Sequence, residues 1–113
     1  MARILRGGIY WADLEPVRGH EQGESRPVLI LSHDLFNVRA ERALAMAITR
    51  RPPRVAYPLV WTVPDGVLPR PSWVLISQLR TLATERLNDR QLAQISEAQL
   101  DEILEGLWQL IGS

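Results

Sequence analysis

Cysteine and lysine are both absent from the 113-residue chain, and none of its apolar stretches is long. Without cysteine, disulfides and thiolate metal sites are excluded, and a reducing cytosol is the natural setting. A membrane-spanning helix needs roughly 18 apolar residues in a row, and the N-terminal residues lack the apolar core of a secretory signal. We therefore expect a cytoplasmic protein that does not insert into a membrane.

Motifs of several common enzyme classes are missing as well. The chain has no Walker A loop, no Gly-x-Gly-x-x-Gly, no His-Glu-x-x-His and no Gly-x-Ser-x-Gly. His20 and His33 are the only histidines, and two histidines without cysteine do not make a convincing zinc site. The sequence predicts neither a metal nor a cofactor, so its chemistry has to use Arg, His, Glu, Thr, Ser and backbone donors.

Charge is balanced in total but uneven along the chain. Thirteen basic residues, all of them arginine, stand against thirteen acidic ones. Residues 1–57 hold nine arginines and six acids, whereas residues 58–113 hold four arginines and seven acids. The first half is a candidate for a basic face, although GC-rich codon usage alone explains arginine in place of lysine. With 46% apolar residues, the length fits one domain over residues 1–113.

Short runs of β-branched, aromatic and aliphatic residues predict a mainly β fold. Strands are expected over residues 8–14, 27–32, 43–49, 57–63, 73–77 and 87–95. One or two helical turns are expected over residues 34–42, with Ser32 or Asp34 as the cap. A single helical turn is expected over residues 78–83. Together these elements predict a small curled antiparallel sheet of about five or six strands.

The C-terminal segment carries the clearest helical pattern. Ser96 and Gln99 have the spacing of a capping box. The apolar residues that follow fall on one helical face, namely Leu100, Ile103, Leu104, Leu107 and Ile111. Gly112 is placed to end the helix. One C-terminal amphipathic helix is therefore expected to pack against the sheet, and the four tryptophans are assigned to packing.

The polar loop over residues 19–26 is the candidate for chemistry. Arg26, just before a buried strand, offers a planar cationic fork for a phosphate. His20 and Glu21 are the nearby groups able to transfer a proton. By residue type alone, a hydrated hairpin loop with an Arg–Glu surface pair is the favoured interpretation, because exposed charged loops are common.

The order of the residues adds a resemblance. Residues 8–32 read Gly-Ile-Tyr-Trp-x-Asp-Leu-x-Pro-x-Arg-Gly-His-Glu-Gln-Gly-x-x-Arg-Pro-Val-Leu-Ile-Leu-Ser. Residues 45–49 read Ala-Met-Ala-Ile-Thr, and residues 73–81 read Trp-Val-Leu-Ile-Ser-Gln-Leu-Arg-Thr. The chain resembles the MazF/PemK (Kid) family of bacterial toxins along essentially its whole length.

This resemblance implies a fold, an activity and partners. The fold is a small SH3-like antiparallel barrel with a C-terminal helix, and the molecule acts as a homodimer. The activity is metal-independent endonucleolytic cleavage of single-stranded RNA at short sequence motifs. The partner is a cognate antitoxin, similar to MazE, whose extended tail occupies the RNA groove along the dimer interface.

The resemblance also implies site residues. Arg26 and Thr49 match the catalytic arginine and threonine, and Glu21 matches a loop residue next to the cut. The RNA-contacting positions are His20, Gln22, Ser25, Gln78 and Arg80. Two positions depart from the usual pattern: Ser77 stands where an Asp is most typical, and His20 stands where Ser is also common.

The implied chemistry is coherent without a metal. The ribose 2′-OH attacks the adjacent phosphorus and leaves a 2′,3′-cyclic phosphate and a 5′-hydroxyl. Arg26 stabilises the charge that develops on the phosphorane, and Thr49 adds a hydroxyl donor. Glu21 and His20 are both candidates for the base that takes the 2′ proton.

Other interpretations stay open from the sequence. A non-catalytic binding module of the same architecture, such as a CcdB-like gyrase poison, needs neither Arg26 nor Thr49. A catalytically silent paralogue that only binds its antitoxin is a third interpretation that the sequence leaves open. Thr49 has the structural alternative of a β-branched residue ending a strand, and Arg80 that of a structural ion pair.

Overall fold

The structure, a computed structural model, describes residues 3–14 and 24–112. Within these residues there are six strands and two α-helices, with a 3₁₀ turn at Thr84–Arg86. The strands are β1 Gly8–Leu14, β2 Glu24–Ile30, β3 Arg42–Thr49, β4 Val60–Thr62, β5 Trp73–Ala83 and β6 Leu87–Gln94. The helices are α1 Asp34–Ala40 and α2 Glu97–Ile111. The strands form one antiparallel sheet in the order β4-β5-β3-β2-β1-β6, which confirms the predicted fold class.

Three predicted elements differ from the structure, two of them around β5. The strand expected over residues 27–32 is β2, which runs from Glu24 to Ile30, so Ser25 and Arg26 of the predicted loop lie in the sheet. The expected strand over residues 57–63 shrinks to the three residues of β4. The helical turn expected over residues 78–83 is wrong, because β5 continues through it as a strand. Leu79 to Ala83 pair with Met46 to Arg42 of β3, so sheet hydrogen bonding overrides the local helical tendency.

A large bulge interrupts β5 at its middle. On one side Met46 pairs with Leu79, and on the other Ile48 pairs with Val74, so four residues of β5 face one residue of β3. The amides of Ile76 and Ser77 donate to the Leu59 carbonyl at 3.0 and 3.4 Å, which satisfies part of the interrupted ladder. Bulges of this kind change the faces to which side chains point.

Both faces of the sheet are buried at its central strands, which explains why β2 and β3 are apolar at consecutive positions. Successive residues of β2 belong to different hydrophobic clusters: Val28 and Ile30 lie on one face, and Leu29 lies on the other. The Leu29 face is covered by α2 through Leu100 and Ile103. The Val28 face carries a second cluster that includes Tyr10 and residues of β3, β5 and β6.

Helix α1 is held by a buried polar network instead of the predicted cap. Its N-cap is His33, whose side chain makes no capping bond, so the prediction of Ser32 or Asp34 as the cap is wrong. Ser32 Oγ instead donates to Asn37 Oδ1 and accepts from the Leu44 amide at 2.9 Å. Asp34 accepts the Arg6 amide at 2.8 Å, which ties the N-terminal segment to the helix.

Helix α2 begins as the sequence predicts. The Gln99 amide donates to Ser96 Oγ at 3.1 Å, and the Ser96 amide donates to Gln99 Oε1 at 2.8 Å, so the capping box is complete. The helix ends at Gly112, which is extended rather than left-handed and donates its amide to the Trp108 carbonyl. Neither described α-helix combines the length and apolarity needed to cross a membrane.

Candidate active site

A pocket of about 440 Å³ opens where β2 begins and β3 ends. Its lining includes Trp11, Ser25, Arg26, Thr49, Arg50 and Arg51. Three residues singled out in the sequence, far apart along the chain, therefore meet in one concave surface: Ser25, Arg26 and Thr49. The pocket is the place in the described structure where they converge.

Arg26 and Thr49 lie just beyond the last pair of the β2–β3 ladder. That ladder ends at Val28 and Ala47, which are two residues from Arg26 on β2 and two residues from Thr49 on β3. Arg26 pairs with Ala12 of β1, and Thr49 pairs with Trp73 of β5. Each residue is therefore held in the sheet by a neighbouring strand, and both line the same pocket.

The hydroxyl of Thr49 has a defined orientation. The Arg51 amide donates to Thr49 Oγ1 at 3.1 Å. A hydroxyl has one proton and two acceptor lone pairs, so this bond occupies an acceptor site and leaves the proton available for another oxygen. Thr49 is thus arranged as a donor at the pocket wall.

Positive charge dominates the described lining of the pocket. Arg26 is partly buried, and Arg50 and Arg51 are exposed. None of the described residues that line the pocket is acidic. Arginine presents several donors in a planar fork that matches phosphate oxygens, so the arrangement favours a phosphate or another oxyanion.

Three lining residues were not singled out from the sequence. Trp11 is 41% exposed at the pocket, although the sequence analysis assigned it to packing. The sequence signal that could have identified Trp11 is its position in β1. Side chains of a strand alternate between faces, so Trp11 points away from the face on which its neighbour Ala12 is buried. Arg50 and Arg51 follow directly after Thr49, so the identification of a strand-end threonine already pointed to them.

The remaining predicted site residues fall into two groups. Gln78 and Arg80 are exposed on β5, and Arg80 pairs with Ala45, four residues before Thr49 on β3. They therefore lie outside the lining of this pocket. His20, Glu21 and Gln22 lie outside the described residues. Among the residues that are described, no three or more His, Asp or Glu side chains are close enough together to hold a metal ion.

A six-stranded antiparallel sheet, a C-terminal helix and a cationic pocket with a threonine donor define a small oxyanion-binding β protein. Residues 5–111 match the family of PemK-like, MazF-like toxins of type II toxin–antitoxin systems, and the chain belongs to that family. The match confirms the family that the sequence motifs indicated.

Individual relatives agree in sequence and in structure. The chain is 33% identical over 106 residues to Endoribonuclease EndoA of Bacillus subtilis (strain 168), covering 92% of this chain and 90% of that protein. The MazE–MazF crystal structure (Form-II) from Deinococcus radiodurans is 30% identical with a TM-score of 0.85, covering 99% of this chain and 98% of that one. The MazF crystal structure (Form-I) from the same organism is 30% identical with a TM-score of 0.82, and the match covers both chains in full. These relatives confirm the predicted fold and the predicted class, that of the endoribonuclease toxins.

Proposed function

We propose that this chain is a sequence-specific, metal-independent endoribonuclease toxin that cleaves single-stranded RNA in the cytoplasm as a single domain over residues 1–113. The observation that carries the proposal is the pocket that Arg26 and Thr49 line together with two further arginines. Family membership and the activity named for EndoA support it. A phosphodiester is the oxyanion that fits such a pocket in a ribonuclease.

The proposed reaction is an internal transfer at phosphorus. The 2′-oxygen forms a bond to the adjacent phosphorus while the bond from phosphorus to the 5′-oxygen breaks. The 2′ proton passes to a base, and the leaving 5′-oxygen takes up a proton to become a hydroxyl. The products are a 2′,3′-cyclic phosphate and a 5′-hydroxyl.

Arg26 and Thr49 stabilise the transition state of this transfer. Charge builds up on the non-bridging oxygens as the phosphorane forms, and fixed donors aimed at that charge lower the barrier. Arg26 supplies a permanent cation, since its guanidinium does not deprotonate in proteins. Thr49 supplies the hydroxyl proton that its bond from the Arg51 amide leaves available.

The loop before β2 supplies the proton acceptor in this proposal. Glu21 is the proposed base and His20 the alternative, with Gln22 and Ser25 contacting the RNA beside the cut. Glu21 precedes Arg26 by five residues in the sequence, and five residues span at most about 18 Å, which limits how far the proposed base can lie from Arg26.

We propose further that the toxin acts as a homodimer. Five consecutive residues of β5, from Ser77 to Thr81, are exposed, although a strand in one sheet normally buries alternate residues. At the end of α2, Trp108 and Ile111 are 60% and 70% exposed. A second subunit that covers these surfaces brings Gln78 and Arg80 to a shared groove for RNA and for the cognate antitoxin.

The direct test incubates the purified protein with a long single-stranded RNA in EDTA. We expect discrete fragments whose 5′ ends are hydroxyls and whose 3′ ends are cyclic phosphates. Arg26→Ala is the inactive comparison, and Arg39→Ala, an exposed arginine on α1 outside the pocket, is the matched control that cleaves normally. A folded wild-type dimer that leaves RNA intact contradicts the proposal and favours a non-catalytic binding module.

A further inference from the structure

A second pocket of about 290 Å³ lies next to the candidate active site, between the segment that follows β3 and the strands β4 and β5. Its walls include Pro52, Pro53, Val55, Tyr57, Trp61 and Trp73. Of the proposed catalytic residues, the two that the structure describes, Arg26 and Thr49, do not line it. The pocket is therefore a separate feature that the proposed chemistry leaves unused.

The aromatic walls of this pocket are held in place from behind. Trp61 is only 6% exposed, and its Nε1 donates to Glu102 Oε1 at 2.8 Å. The Tyr57 hydroxyl donates to the Glu102 carbonyl at 2.8 Å. One residue of α2 thus fixes two rings, so the pocket is formed before any ligand arrives. A site that is already ordered loses little entropy on binding.

The second pocket is continuous with the active site through the sheet and through the chain. Trp73 of β5 pairs with Thr49 of β3 on one side and with Thr62 of β4 on the other. Neighbouring strands lie about 4.7–4.9 Å apart, so Trp73 stands one strand away from the catalytic hydroxyl. Along the chain, Arg50 and Arg51 line the first pocket, and Pro52 and Pro53, the next two residues, line the second.

The chemistry of the second pocket suits a flat apolar ring carried by an anion. Its surfaces are indole, phenol and proline rings, and none of the described lining residues is acidic. Arg54 is exposed and stands in the sequence between the lining residues Pro53 and Val55, and Arg50 and Arg51 line the neighbouring first pocket. Its volume is at the lower end of the roughly 300–1,000 Å³ of small-molecule sites, which fits a single ring system. Thr62 adds a hydroxyl that can bond the edge of a base.

We propose that this pocket binds the base of the nucleotide next to the scissile phosphate, and that Trp73 is a specificity-determining residue which stacks on that base. Sequence-specific RNA recognition acts on single strands whose bases are splayed out and stacked on aromatic side chains. Holding one base against Trp73 fixes the register of the RNA, so that the next phosphate lies between Arg26 and Thr49. The proposal rests on the endoribonuclease function proposed above.

The first test reads base preference, not only activity. A randomised single-stranded RNA is cleaved, and the new 5′-hydroxyl ends are sequenced for the wild type and for Trp73→Ala. We expect Trp73→Ala to weaken the preference at one position beside the cut by about tenfold or more, the order expected for losing a base–aromatic stack. Trp73→Phe restores most of it, and Phe36→Ala, an exposed aromatic on α1, leaves it unchanged.

A second test ties the residue to the nucleotide, and its comparison of abasic with intact RNA in the wild type does not depend on how Trp73→Ala folds. An RNA with an abasic site at the affected position is cleaved about tenfold more slowly by the wild type, and Trp73→Ala adds no further loss. Val55 lies at the rim of the pocket and is 49% exposed, so Val55→Glu is expected to fold normally. Its negative charge repels the nucleotide. Val55→Gln is the uncharged control. We expect the acidic variant alone to weaken the base preference.

The outcomes separate this inference from the function on which it rests. The base pocket is overturned if Trp73→Ala and Val55→Glu both keep the wild-type base preference and the abasic RNA is cleaved normally. In that case, cleavage of RNA by the wild type still upholds the ribonuclease function. Loss of antitoxin affinity in these variants without any change in base preference also overturns it and assigns the pocket to the antitoxin. If the wild type does not cleave, quenching of tryptophan fluorescence by 2′-O-methyl RNA that is reduced in Trp73→Phe upholds the pocket. Quenching that is equal in the two proteins, or absent from both, overturns it.

Discussion

Thr49 owes its proposed role to a single backbone contact. The amide two residues further on occupies an acceptor site of its hydroxyl, and the hydroxyl proton is therefore directed elsewhere. Arg26, which lines the same pocket, supplies a permanent positive charge and hydrogen-bond donors but does not transfer a proton. In the proposed mechanism Arg26 contributes a fixed positive charge. The Thr49 hydroxyl contributes a hydrogen bond that becomes stronger in the transition state.

Two substitutions of Thr49 distinguish the role of its hydroxyl from that of its β-branched shape. Thr49→Val keeps the β-branched side chain and removes the donor, and we expect single-turnover cleavage at saturating RNA to slow by about 100-fold, the loss typical of one transition-state donor. Thr49→Ser keeps the donor and retains most of the rate. Equal rates for the valine variant and the wild type rule out a catalytic hydroxyl at this position.

Tyr10 is a buried phenol whose protonation supports the fold. Burial, chiefly, and the charge of Asp34 raise the pKa of Tyr10, while the hydrogen bond from the Leu5 amide works in the opposite direction. The folded state therefore favours the neutral phenol, which donates to the Arg3 carbonyl at 3.2 Å. Since the pKa is raised on folding, this contribution is present in full below about pH 10 and is lost as the pH rises through the folded-state value.

The composition makes this titration easy to observe. The chain has no lysine or cysteine and only two tyrosines, so few side chains titrate between about pH 9 and 12. We expect the free energy of unfolding of the wild type to fall in this range, and that of Tyr10→Phe to stay nearly flat. Urea denaturation at a series of pH values measures both slopes, with Tyr57→Phe as the comparison. The same decline in Tyr10→Phe assigns the effect to another group.

At the scale of secondary-structure elements, α2 shows what a local pattern can predict. Its start depends on Ser96 and Gln99, which are three residues apart and satisfy each other's hydrogen bonds. The buried residues Leu100 and Ile103 follow from helical periodicity, whereas Ile111, which the same periodicity placed on the packing face, is 70% exposed at the end of the helix. Everything that defines this helix is contained in its own sequence, which is why its N-terminal boundary was predicted correctly.

The contribution of the capping box to the free energy of unfolding can be measured. We expect Ser96→Ala to lower the free energy of unfolding by about 1 kcal/mol, because the Gln99 amide loses its acceptor. Asp101→Ala, an exposed change on the same helix, is the control and moves stability by less than about 0.5 kcal/mol. Chemical denaturation measures both. A Ser96→Ala variant as stable as the control shows that tertiary packing alone holds the helix start.

Strand β5 shows what a local pattern cannot predict. Residues 78–83 were expected to form a helical turn, but β3 recruits them as a strand. The bulge before them depends on amides of β5 donating to Leu59, a residue far from β5 in the sequence. The arginine pair after Thr49 and the half-exposed Trp11 were missed for a related reason, because their membership of the pocket depends on which strand ends meet.

For the whole molecule, the proposed homodimer depends on surfaces that a single subunit leaves exposed. The end of α2 and the middle of β5 present apolar and polar groups that one subunit does not cover. We expect sedimentation velocity at micromolar concentration to give twice the 12.8 kDa mass of the chain. Ile111→Asp places a charge on the exposed helix end and shifts the protein towards monomer. A wild-type monomer with full RNase activity contradicts the shared groove.

The measurement that tests the central claim most directly is the single-turnover cleavage rate in EDTA of Arg26→Ala beside that of Arg39→Ala. If Arg26 stabilises the phosphorane, the first variant is slower than the wild type by at least about 100-fold while its RNA still binds, and Arg39→Ala keeps the wild-type rate. Folding and assembly of both variants are checked by circular dichroism and sedimentation. A folded Arg26→Ala protein that cleaves at the wild-type rate contradicts the account.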